Sequence, residues 1–283
     1  MGKKKLYFIL SKKGGVGKSM FTYDLSLLLS QKPEFKKTAF FDADYLRPDS
    51  SCMRLLKNIV QDKHQLLPLT FTDESGKFMP ESIEDFLELF GGSEKKTISV
   101  VDMGGGTSEN LVRYLKDPDN LAAIKDIIEY FQIEPTFFCL FSGLQKEDTI
   151  ADIVDTFRAV EPLSAKKVIV NNKYLSVNED LEDQLITALC EEFEAHRVDF
   201  QFVSKSTSTS VINNLVKLIN QGVNILQKTV PAFPVDEQMP LRERISLEEA
   251  NRLIDEFWNR RIAIKSKVDL NFTSFKKQME NIL

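Results

Sequence analysis

Cysteine, histidine and tryptophan are scarce in this chain: three, two and one in 283 residues. Cys52, Cys139 and Cys190 lie far apart and form no C-x-x-C pair. That excludes a disulfide framework and a cluster bound by paired cysteines, and it predicts reduced thiols in a cytoplasm. Each reads as a small buried apolar residue. His64 and His196 have no cysteine or carboxylate at metal-ligand spacing, so both are assigned to surface or structure. Long apolar runs are missing too: nothing approaches the roughly 18 uninterrupted residues of a membrane-spanning helix. The opening "MGKKK" enters a strand without the apolar region and small-residue cleavage site of a signal peptide. A basic excess is also absent. Lys and Arg number 37 against 42 Asp and Glu, a formal net charge of −5. A globally basic nucleic-acid binder is excluded, and any contact with DNA or a membrane must use a local patch.

Hydrophobic residues make up 42%, enough for a sizeable core, and no repeat, low-complexity segment or linker divides the chain. Short apolar runs predict strands over 5–10, 38–42, 97–102, 136–141, 167–172 and 198–203. Between them, 3.6-residue periodicity predicts helices over 18–31, 47–60, 82–90, 107–116, 119–132, 145–160 and 178–196. Phe21, Leu25, Leu28 and Leu29 share a face in the first of these, and Leu181, Leu185, Leu189 and Phe193 in the last. Beyond 203 come a helix at 207–220, a proline-bearing loop at 229–241 and helices at 246–262 and 268–283. The strands do not alternate apolar with polar, which is the pattern of strands buried on both faces. The expected fold is therefore single-domain α/β: a mostly parallel twisted sheet flanked by helices on both faces.

The stretch "SKKGGVGKSM" (11–20) lies between the first strand and the first helix. Ligands of such sheets bind outside the carboxyl ends of the strands, which is where this loop falls. The ordinary phosphate-binding pattern G-x-x-x-x-G-K-S is missed, because Lys12 takes the place of its first glycine. The physics remains. Gly14, Gly15 and Gly17 allow positive φ, so backbone N–H groups can turn around a phosphate. The helix starting near Lys18 aims its N-terminal N–H groups at the same spot. Lys18 can reach the β- and γ-phosphates, and the Ser19 hydroxyl can ligate Mg²⁺.

"KGGVGKS" resembles the deviant Walker A motif of the ParA/MinD family of P-loop ATPases, K-G-G-x-x-K-S/T. The resemblance implies ATP and Mg²⁺ as cofactors. It implies a nucleotide-binding set of Gly14, Gly15, Val16, Gly17, Lys18, Ser19 and Met20. Lys13 matches the family's signature lysine, which reaches the phosphates of the opposite subunit in a nucleotide-sandwich dimer. A second ammonium of that kind stabilises charge on the transferring phosphoryl group.

Further motifs follow in order. "FFDADYLRP" sets Asp42 and Asp44 two apart at a strand end, on one side of an extended chain. The resemblance makes Asp42 a ligand of Mg²⁺ through water and gives Asp44 the attacking water. "TISVVDMGGG" has the Walker B layout, with Asp102 near Mg²⁺ and Gly104, Gly105 and Gly106 as a loop that shifts after hydrolysis. Relatives carry other residues after both motifs, so the switch contacts are expected to differ. Asn171 in "VIVNNK" resembles the family's adenine-contacting residue, with Asn172 in reserve. No guanine signature N/T-K-x-D is present, which favours ATP over GTP.

The resemblance divides the chain into an ATPase domain at 1–262 and a C-terminal amphipathic helix at 263–283, packed on it. It implies a slow ATPase that dimerises on ATP, answers to a stimulating partner protein and positions or segregates DNA or a large complex, as in plasmid partition or conjugative transfer. Non-specific DNA contact would use "NRRIAIKSK" (259–267), with five basic residues in nine. The stripe Val268, Phe272, Phe275, Met279 and Ile282 is read first as packing. Its lesser alternatives are membrane contact through 268–283, as in MinD-like relatives, and docking in a partner's groove. An ATP-dependent carboxylate ligase on the same scaffold is the other enzymatic reading.

Overall fold

The computed structural model describes residues 3–43, 51–57, 59–60, 62, 65–73, 77–201 and 272–283. Asp44, His64, the segments expected at 207–220, 229–241 and 246–262, the basic stretch 259–267 and Val268 lie outside the described residues. Seven parallel strands form one sheet: β1 (Lys4–Leu10), β2 (Thr38–Asp42), β3 (Leu66–Pro68), β4 (Ile98–Asp102), β5 (Ile133–Phe141), β6 (Lys166–Asn172) and β7 (His196–Phe200). Their spatial order is β3-β2-β4-β1-β5-β6-β7. The helices are α1 (Lys18–Ser30), α2 (Ser51–Leu56), α3 (Glu81–Gly92), α4 (Gly105–Leu115), α5 (Pro118–Tyr130), α6 (Lys146–Val160) and α7 (Glu179–Phe193). Residues 272–280 form a further helix. The α/β class and the parallel sheet are as the sequence predicts. β3 is an addition: three residues containing a proline, too short for a periodicity signal, sit at the sheet edge, where proline is tolerated.

Successive side chains of a strand point to opposite faces, and both faces of this sheet are covered. Leu6, Phe8, Leu10, Phe137, Cys139 and Ile169 join the core under α3 to α7. Tyr7, Ile9, Phe138, Leu140, Val168 and Val198 join the core under α1, α2 and the C-terminal helix. Phe21 of α1 packs edge-on against Phe200 and Phe275, with ring centroids 5.8 and 5.7 Å away. Phe275, Met279 and Ile282 are all buried there. Gln278 covers the outer strand: its Oε1 accepts from the Asp199 N–H at 2.7 Å and its Nε2 donates to the Asp199 carbonyl at 3.4 Å. The Lys5 and Lys166 ammonium groups donate to the carbonyls of Leu283 and Ile282. Among the described residues, no helix is long and apolar enough to cross a membrane.

Two helices differ from the expected one-sided pattern. Every residue of α1 from Phe21 to Leu29 is buried, because α2 and the C-terminal helix enclose the side that periodicity assigns to solvent. In α7 the buried face is Glu182, Ile186, Leu189 and Phe193, while Leu181 is 40% exposed. Glu182 turns the helix: its Oε1 accepts the N–H groups of Val177 and Asn178 at 2.7 and 2.9 Å, so a carboxylate enters where a leucine was expected.

Enclosure of α1 traps Asp24, whose carboxyl is pushed up to about 8 by burial. An acid raised in the folded state takes up a proton on folding between its unfolded and folded values. Its contribution is full in acid and lost as pH rises from about 4 towards 8. Asp24→Asn is therefore expected to lie near the wild-type melting temperature at pH 4 and to exceed it at pH 8, by several degrees. Calorimetric scans at the two pH values check this.

Candidate nucleotide and cation site

The loop 11–17 leaves the carboxyl end of the central strand β1, where the strand order reverses. Val16 is buried and anchors it from below, while Gly14 and Gly15 are exposed. Positive φ occurs at Gly15 (76°) and Gly17 (100°), and Gly14 does not need it. Gly17 caps α1 without any side-chain hydrogen bond, and the first turn of α1 carries no acid. The N-terminal N–H groups of that helix thus lack a built-in side-chain cap, the arrangement an anionic ligand satisfies.

The three lysines have separate places. Lys12 is committed to α6: its N–H donates to Asp152 Oδ2 at 3.1 Å, and its ammonium meets Asp152 at 3.4 Å and Asp155 at 3.1 Å. These partners raise the Lys12 ammonium above its ordinary range in spite of its partial burial. Lys18 folds back over the loop, donating to the carbonyls of Ser11 at 3.2 Å and Lys13 at 2.9 Å. Lys13 points outward to Asp148 at 3.1 Å, an ion pair whose side chains are 40% and 59% exposed.

The two candidate cation ligands lie side by side. Asp42 and Asp102 are register partners at the ends of β2 and β4, and both are buried. Burial, then the neighbouring Asp42 charge, pushes the Asp102 carboxyl up to about 6, and Lys18 with hydrogen bonds from Cys52 and Ser19 counteracts this. Asp102 Oδ2 is buried without a hydrogen-bond partner. Two adjacent buried carboxylates, one with an unsatisfied oxygen and a serine hydroxyl alongside, fit a divalent cation that neutralises the pair. Ser19, Asp42 and Asp102 are the residues that would hold Mg²⁺, directly or through water, and the bound ion would supply charge neutralisation at the phosphates.

The triple glycine differs from the expected loop. Gly104 caps α4, and Gly105 and Gly106 already lie in its first turn. A Cβ on Gly105 would come within 2.6 Å of the Lys12 carbonyl, so glycine lets this helix start against the phosphate loop. Thr107 ties the same turn to β2 by donating to the Ala43 carbonyl at 3.2 Å. A second helix N-terminus without a side-chain cap thereby reaches the site.

Of the two asparagines, Asn172 is the one brought to the loop. Its Nδ2 donates to the Val16 carbonyl at 2.9 Å, and its Oδ1 accepts from the Tyr174 N–H at 3.2 Å. Asn171 is fully buried and donates to Asp199 Oδ1 at 3.0 Å. Met20 lies half-buried on α1. Asp44 lies outside the described residues. Cys52 is buried in the apolar cluster under α1 and α2, as its reading as a small buried apolar residue predicts.

No curated protein sequence matches the chain. One family description does: the CobQ/CobB/MinD/ParA nucleotide-binding domain, over residues 7–242. That span takes in the phosphate loop, both carboxylates and the two asparagines, so the chain belongs to the CobQ/CobB/MinD/ParA family and carries a ParA/MinD-type nucleotide-binding domain.

Proposed function

We propose that the protein is an ATP-binding and ATP-hydrolysing molecular switch that dimerises on ATP with Mg²⁺ and positions or segregates DNA or a large complex. One observation carries the reading: two lysines of one loop diverge. Lys18 covers its own loop, while Lys13 stands outward in a half-exposed ion pair with Asp148. Exposed pairs of this kind are worth at most about 1 kcal/mol, so the Lys13 ammonium leaves Asp148 at little cost and serves a second copy. Asp44 orients the attacking water, and the α4 turn at Gly104, Gly105 and Gly106 reports the state of the nucleotide. A stimulating partner protein completes the cycle.

The working surface is the finer part of the reading. Burial of Phe275, Met279 and Ile282 supports a packed C-terminal helix over membrane contact through 268–283, since the same stripe would have to leave the core. Non-specific DNA contact through 259–267 remains the reading for the basic stretch. The family also spans CobQ and CobB, so a carboxylate ligase is the competing reading, and Lys13 separates the two.

The test is Lys13→Gln. Its affinity for ATP, by titration with a fluorescent analogue, is expected within about threefold of wild type. Its ATP-dependent dimer, by light scattering, is expected to be lost, with hydrolysis reduced at least tenfold. A variant that dimerises and hydrolyses normally overturns the switch reading. ATP turnover that requires a small carboxylic acid and no protein partner establishes the ligase instead.

A further inference from the structure

Lys12 stands where the ordinary phosphate-binding loop has its first glycine, so its side chain needs a place. α6 supplies it, and one carboxylate takes both ends of the residue. Asp152 Oδ2 accepts the Lys12 N–H at 3.1 Å, and Oδ1 lies 3.4 Å from the Lys12 ammonium. Asp152 is 8% exposed, so this contact is shielded from water, unlike the outward pair of Lys13 with Asp148. A second tether runs beside it: Gln145, just before α6, donates from Nε2 to the Gly14 carbonyl at 3.3 Å.

The Lys12 N–H and the Ser11 carbonyl are the two ends of one planar trans peptide, so they point in opposite directions. The first end is held by Asp152. The second accepts the Lys18 ammonium at 3.2 Å. Fixing one end fixes the other, and α6 thereby sets the carbonyl over which Lys18 is laid. The next residue is held in turn: the Lys13 N–H donates to Ser11 Oγ at 3.2 Å, and the Lys13 carbonyl accepts Lys18 at 2.9 Å. We propose that Asp152 is a positioning residue of the phosphate loop: it orients the 11–12 peptide, and through it Lys18, before nucleotide arrives. The role rests on the reading of this loop as the nucleotide site. A loop already held in its binding shape spares the ligand the cost of ordering it. The Lys12 ammonium has Asp155 at 3.1 Å as a further partner, so the charge on Asp152 and its grip on the peptide are separable.

The experiment compares ATP affinity, by titration with a fluorescent analogue, and melting temperature, by calorimetry, in the full chain for wild type, Asp152→Ala, Asp152→Asn and Lys18→Ala. Asp152→Ala is expected to weaken ATP about tenfold, the scale of one hydrogen bond lost from the binding conformation. Asp152→Asn keeps an oxygen that accepts the Lys12 N–H, and is expected to bind within about threefold of wild type. Both variants lose the ion pair with Lys12, so both are expected to melt below wild type. An Asp152 that only stabilises the fold predicts that ATP affinity follows melting temperature, and asparagine then restores nothing. Should Asp152→Ala fail to fold, the double variant Lys12→Met with Asp152→Ala carries the same expectation, since it leaves no charge of the pair buried alone. Wild-type ATP affinity in the alanine or double variant, or an asparagine variant no better than alanine, overturns the role. If Lys18→Ala loses ATP and Asp152→Ala does not, only the role of Asp152 falls. If Lys18→Ala also binds as wild type, the phosphate site itself is misplaced and the positioning role falls with it.

Discussion

Lys18→Ala is expected to abolish measurable ATP binding, a loss of at least a hundredfold by equilibrium titration, with the fold intact by circular dichroism. The ammonium has two carbonyl partners across the loop, Ser11 and Lys13. Neutral partners of that kind contribute about 1 kcal/mol each, so the fold tolerates their loss. Phosphate oxygens are far stronger partners: a hydrogen bond between charged groups is worth about 1.5–3 kcal/mol, and a triphosphate offers several. The loop has no ready substitute. Lys12 is held by Asp152 and Asp155 on α6, and Lys13 is turned outward to Asp148. Retention of ATP affinity within tenfold in the alanine variant would contradict the placement of phosphate at this loop.

Gly17→Ala is expected to weaken nucleotide binding by a comparable factor through a different cause. At φ 100° the backbone is in a region that an L side chain rarely adopts. The new Cβ would lie 2.6 Å from Asn172 Nδ2, the atom that holds the Val16 carbonyl. Backbone strain costs about 1–3 kcal/mol, and loss of the buried hydrogen bond adds about 1. Both penalties fall on the loop conformation itself, so about 2–4 kcal/mol appears as roughly 30- to 1000-fold in affinity. Gly14→Ala is the control. Nothing lies within 4 Å of its Cβ and its φ is not positive, so it should bind within a few-fold of wild type. Parallel ATP titrations of the two variants decide the matter. Equal losses would mean that any side chain in the loop is harmful, whatever its geometry.

The fold was legible because its strands are buried on both faces. An uninterrupted apolar run such as "TAFFD" marks Thr38–Asp42 without a competing pattern. The phosphate loop was legible because glycine and lysine at fixed spacing serve a physical need. What escaped the sequence depends on neighbours far along the chain. All-round burial of α1 requires α2 and residues 272–283, which periodicity within one helix does not register. The turn of α7 depends on Glu182 reaching two backbone N–H groups in its own entry loop. "MGGG" reads as a loop by composition, yet the close approach of Gly105 to the Lys12 carbonyl explains why a helix begins there.

The contact between Lys5 and the Leu283 carbonyl joins positions 278 apart in the chain. Phe21, one turn beyond the phosphate loop, shares its ring contacts with Phe275 at the other end of that span. The core face under α1 is thus closed by partners of very high sequence separation, whose loop-closure entropy must be met before any contact rewards it. Docking of residues 272–283 against α1 is therefore expected to come late in folding.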